Sequence, residues 1–122
     1  MKISKKEFKD ICADVSAENS LQTLKTAQKL NDENGGELAY TKTLMNVLFT
    51  KQLIKVLGFQ DDDSEIEITK ESFGDVATKV VANADEGMDS PAGRLIMVLE
   101  AVHFTTMLAK RLFGEETEDE SN

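Results

Sequence analysis

Four kinds of residue in this 122-residue chain have the makings of chemistry: a single histidine, a single cysteine, a recurring pair of aspartates and two dense runs of acids. His103 carries the one side chain whose ordinary pKa suits it to general-base work or metal binding near neutral pH. It stands where an earlier, related segment has Leu48, a helix position facing other apolar residues, so a structural or partly buried histidine is expected. Cys12 has no CxxC partner and no nearby histidine to take its proton, and it falls on a helix stripe in the place that Ala77 holds later in the chain. A packed free thiol is expected there, not a nucleophile. Asp10 and Asp75 recur at matching places early in two helices, where the positive end of the helix macrodipole favours a carboxylate without any further role.

The run Asp61-Asp62-Asp63-Ser64-Glu65 comes closest to a calcium loop. An EF-hand loop begun at Asp61 needs Gly at its sixth position and Glu at its twelfth, and the chain has Ile66 and Ser72 there. The calcium reading fails on those two residues, and a solvated connector is expected. Glu115, Glu116, Glu118, Asp119 and Glu120 make the second run, a self-repelling stretch without apolar periodicity that is expected to leave residues 115–122 a disordered acidic tail. With the five tail acids and Asp61, Asp62, Asp63, Glu65 and Glu67 set aside, 14 bases face 13 acids, so the formal charge of −9 is local. Asp61, Asp62, Asp63, Glu65, Glu115, Glu116 and Glu118 are therefore the candidate partner-binding acids. The chain has no Gly-rich phosphate loop, no Ser-His-Asp or Cys-His set, no zinc spacing and no basic patch interleaved with aromatics. No catalytic residue, metal or cofactor is expected, and no direct binding of nucleic acid.

Helices must position these residues, and they are expected to come in two related sets. Ile3-Ser4-Lys5 followed by Phe8, Asp10, Ile11, Val15 and Ala17 returns 65 residues later as Ile68-Thr69-Lys70 followed by Phe73, Asp75, Val76, Val80 and Ala82. Leu44, Val47, Phe49, Thr50, Leu53, Lys55 and Leu57 return 55 residues later as Leu99, Val102, Phe104, Thr105, Leu108, Lys110 and Leu112. This predicts an internal duplication with pseudo-repeats 1–59 and 66–114. Ser4 and Glu7 form a capping box, Ile3 and Phe8 a hydrophobic staple, and Ile68, Thr69 and Phe73 reproduce the geometry without the acid partner, so helices start near residues 5 and 70. Gly58 and Gly114 mark two helix ends, and Ser90-Pro91 a beginning.

The long helices at 38–57 and 91–113 are apolar on most sides and are expected to be covered on most sides. Asn19 opens a further helix with Leu21, Leu24, Ala27 and Leu30, broken by Asn31 to Gly36, whereas the second half has only a loop at 83–89. The fold expected is all-α: a small bundle of about five helices in one domain over residues 1–114, with a minimal two-stranded ribbon of residues 1–3 and 66–68 that brings Lys2 near Glu67.

One cysteine excludes an internal disulfide framework and suits a reducing cytoplasm. The start lacks the apolar core of a signal peptide, and the longest apolar run, Leu95 to Leu99, falls far short of the roughly 20 residues of a membrane span, so no membrane insertion is expected. Two functional classes remain. One is a non-enzymatic helical protein that binds another protein or itself, of a kind common among phage and mobile-element genes. The other is an acidic inhibitor whose carboxylates stand in for nucleic-acid phosphates.

Overall fold

Two reciprocal caps decide where the helices begin. The Ser4 amide donates to Glu7 Oε1 at 2.9 Å while the Glu7 amide donates to Ser4 Oγ at 3.1 Å. At the second start the Thr69 amide donates to Ser72 Oγ at 2.8 Å and the Ser72 amide to Thr69 Oγ1 at 3.0 Å. A hydroxyl thus closes the second box where no acid stands in place. In the computed structural model, which describes residues 1–114, the elements are β1 (Lys2–Ser4), α1 (Lys5–Lys29), α2 (Gly35–Leu57), β2 (Glu65–Glu67), α3 (Lys70–Ala82) and α4 (Pro91–Phe113). The reading of 115–122 as a disordered tail lies outside the described residues.

There are four helices among the described residues and not five. The segment predicted to start anew at Asn19 is the continuation of α1, because Ser16 to Ser20 holds no Gly or Pro to interrupt the ladder. Asn19 does not cap; it lies in mid-helix, 1% exposed, with its amide turned into the bundle. The break after it does operate. Asn31 takes a left-handed φ of 56°, and α2 starts at Gly35, three residues ahead of the predicted 38. A Cβ at Gly35 would sit 2.6 Å from the Ala27 Cβ, so glycine is what lets the hairpin of α1 and α2 close.

The ribbon forms with its boundaries shifted by one residue. Lys2 pairs with Glu67, Ile3 with Ile66 and Ser4 with Glu65, antiparallel, and the Ile68 amide donates to the Met1 carbonyl at 2.8 Å. The Met1 ammonium donates to Glu67 Oε2 at 2.7 Å, and this bond with its charge holds the Glu67 carboxyl below its usual range. An isolated two-stranded ribbon is weak, and here Ile3 and Ile68 anchor it by entering the core below.

That core joins Phe8, Cys12 and Val15 of α1 to Phe49 and Leu53 of α2, Phe73 and Val80 of α3, and Phe104 and Leu108 of α4. Phe8 and Phe73, Val15 and Val80, Phe49 and Phe104, and Leu53 and Leu108, all matched between the halves in sequence, are buried as pairs. Helix α4 has the length and mean hydropathy, 1.3 over its apolar window, of a membrane span. It nevertheless carries Glu100 buried in its middle and packs on α1, α2 and α3.

The expectation that the long helices are covered on most sides does not hold. Tyr40, Leu44, Val47 and Leu48 on α2 and Leu95, Ile96, Leu99 and Val102 on α4 all face solvent. Four helices leave each long one with neighbours on only part of its circumference, and the segment expected as a fifth is the second half of α1, already packed on α2.

Candidate functional site

Three polar residues meet where α1, α2 and α4 cross. Asn19 Nδ2 donates to Asn46 Oδ1 at 3.0 Å and to Glu100 Oε2 at 2.7 Å, and Asn46 Nδ2 donates to the same Glu100 oxygen at 2.8 Å. Lys42 Nζ lies 3.6 Å from Glu100 Oε1. Asn46 is fully buried and Glu100 is 5% exposed, so this carboxylate depends on two amides and one ammonium for what water would have supplied. Each partner comes from a different turn or helix, so the junction fixes how α4 lies across the hairpin. Sequence reading missed it. A signal was available: Asn46 and Glu100 each interrupt an otherwise apolar run, Leu44 to Leu48 and Leu95 to Val102.

Around this junction the surface is apolar and grooved. A cleft of about 680 Å³ has Asn19, Lys42 and Glu100 at its polar base, with Leu30, Leu38, Ile96 and Leu99 among its walls. The last four are 73%, 47%, 56% and 58% exposed, side chains that folding alone leaves wet. A second groove, of about 890 Å³, runs between α1 and α2 on the side of Leu21, Leu24 and Val47.

The residues singled out in sequence do not converge. His103 is exposed, contrary to the burial expected from its match to Leu48, and Leu48 is itself 42% exposed. It rims the smaller apolar cleft and makes no hydrogen bond among the described residues. Asp10 and Asp75 are exposed on α1 and α3. Asp61, Asp62, Asp63 and Glu65 are exposed as expected, but the connector they form is pinned in place. Asp61 Oδ1 accepts from the amides of Asp63 and Ser64 at 3.1 and 2.8 Å, the Lys6 amide donates to the Asp62 carbonyl at 3.3 Å, and Lys5 Nζ lies 3.8 Å from Asp62 Oδ1. The connector is thus solvated, as expected, and its path is set by the hydrogen bonds of a local turn. Glu115, Glu116 and Glu118 lie outside the described residues. Among the described residues no group of three His, Cys, Asp or Glu is placed to hold a metal ion.

Cys12 is buried as expected, 1% exposed. Burial pushes its thiol from 9.0 up to about 12, partly offset by a hydrogen bond with Thr50. The unfolded thiol loses its proton first as pH rises, so between those values the unfolded chain binds fewer protons and stability falls with pH. From about pH 8 to about pH 10 the wild type should lose about 1 kcal/mol relative to Cys12→Ala, read from urea midpoints of both proteins. Parallel pH profiles would show that the thiol is not confined as the structure has it.

No protein-family model, curated protein or solved structure matches the chain.

Proposed function

We propose that this chain is a non-enzymatic protein–protein interaction or assembly protein that binds through the solvent sides of α2 and α4. One observation carries the reading. Tyr40, Leu44 and Val47 are 64%, 52% and 46% exposed, and the residues 55 positions later, Leu95, Leu99 and Val102, are 59%, 58% and 44% exposed. Core packing accounts for Phe49 and Phe104 or Leu53 and Leu108 being alike. It does not account for leucine and valine at matching positions that face water, where folding gains little from them. In this reading the halves descend from one duplicated hairpin, and each keeps its docking stripe. The single buried thiol suits a reducing cytoplasm.

The acidic-mimic alternative has less support, since Asp61 and Asp62 are engaged in folding the connector against α1. Leu44→Glu and Leu99→Glu, each at a site already exposed, should leave the urea midpoint within about 0.5 kcal/mol of wild type. Together they should abolish copurification of the native partner or, if the chain binds itself, the self-association that sedimentation would measure. Retention of the complex in the double variant, with steep loss in salt and competition by DNA, would replace this reading with the mimic.

A further inference from the structure

The groove between α1 and α2 has a shape and a charge that narrow what fits it, given the interaction reading on which this inference rests. The two helices run antiparallel and are tied by the Ser20 Oγ to Thr43 Oγ1 hydrogen bond at 2.7 Å. The α1 wall of the groove extends from Lys5 to Leu24, which at 1.5 Å per residue is about 28 Å, the length of a helix of about 19 residues. Ala13, Ser16, Ala17 and Ser20 line it with side chains small enough for another backbone to approach, and Leu21, Leu24, Val47 and Ile54 supply apolar contact.

The charges are one-sided. In a chain with 23 acids against 14 bases, the charged residues lining this groove are Lys5, Lys9 and Lys51, and no carboxylate lines it. The antiparallel pairing puts all three lysines in the half made by the start of α1 and the end of α2. Lys5 is shared with Asp62 at 3.8 Å, whereas Lys9 and Lys51 make no ion pair among the described residues. A second copy of the chain complements this poorly, since its solvent stripes carry one acid, Glu37 at the start of α2, against Lys51 and Lys55 on α2 and Lys110 on α4. We propose that the groove receives an amphipathic helix of a partner protein, with its apolar stripe over Ala17, Leu21 and Val47 and acidic residues at the end that meets Lys9 and Lys51.

The test displays a library of 19-residue amphipathic helices, randomised at their polar positions, against the full chain. Selected sequences should carry Asp or Glu clustered at one end, and the peptides should shift the amide resonances of Ala13, Ala17, Ser20 and Val47. The double variant Lys9→Glu with Lys51→Glu should weaken them at least tenfold with an unchanged circular dichroism spectrum, and Ala17→Trp should block them. Selection of basic or uncharged sequences, no selection at all, shifts confined to the cleft at Glu100, or affinity unmoved by charge reversal would each overturn the proposal. Displacement of the peptide by phosphatidylglycerol vesicles, with greater affinity for the vesicles, would overturn it in favour of a lipid surface. If the native partner is lost on Leu44→Glu with Leu99→Glu but kept on Lys9→Glu with Lys51→Glu, the groove assignment falls while the interaction reading stands. Loss on the lysine variant alone supports the groove.

Discussion

Cutting Phe8 or Phe73 to alanine should lower the unfolding free energy by about 3–5 kcal/mol each, measured by urea titration followed by circular dichroism. Phe8 is 0% exposed and Phe73 1%, and their ring centroids lie 6.5 Å apart at the meeting point of the two capped helix starts. Each has a further aromatic neighbour: Phe59 is 5.9 Å from Phe8, and Phe113 is 6.1 Å from Phe73. Truncating either ring leaves a cavity walled by other rings, which cannot collapse without moving the end of α4 or the connector. Because the two rings touch, their effects should not add, and a double-mutant cycle should return a coupling of about 0.5–1.5 kcal/mol. The double variant, losing roughly 5–9 kcal/mol, should be largely unfolded at room temperature if the chain's stability lies in the lower half of the ordinary range of about 5–15 kcal/mol. Equal urea midpoints for wild type and both single variants would reject this core.

Asn46→Leu should cost about 3–5 kcal/mol, because it removes one donor to Glu100 and the acceptor for Asn19 and leaves a buried carboxylate short of partners. Replacing all three, Asn19→Leu, Asn46→Leu and Glu100→Met, should cost far less than the single change or should stabilise, since no polar group is then left behind. Lys42→Ala should cost less than Asn46→Leu: its side chain is a third exposed and its ammonium stands 3.6 Å from the carboxylate, where solvent screens it. The three urea midpoints check this order. If Asn46→Leu is as stable as wild type, the polar junction does not hold the helices. If the triple variant is stable but its α4 resonances broaden, the junction serves to select one packing of α4 over others.

Helix starts and stops were legible because they are written within four or five residues. Ser4 with Glu7, Ser90 with Pro91, and Gly58 in its left-handed conformation satisfy or release backbone groups by contacts that no distant part of the chain can change. The boundaries 5, 91 and 57 follow from them, as 70 and 113 follow from Thr69 and Gly114. The alternation at the ribbon and the three-and-four spacing of Phe8, Cys12 and Val15 are equally local, and they named much of the core.

Asn19 shows where that reach ends. Asn followed three residues later by Gln reads as a cap in any sequence, and only the presence of Asn46 and Glu100 opposite it makes the mid-helix position the better place for its amide. The same holds for the solvent stripes. The pattern on α2 and α4 says that apolar residues occur on nearly all sides, but which sides are covered depends on how many helices surround each one and at what angle they cross. Phe49 and Leu44 are five residues apart on one helix and equally apolar, yet one is buried and the other is 52% exposed. The sequence by itself determined the helical class, the capped helix starts, the glycine stops and much of the core, since those rest on short-range hydrogen bonds and periodicity. Only the tertiary structure decided which polar groups pair inside and which apolar sides face water, because burial is a property of what lies opposite a residue and not of the residue.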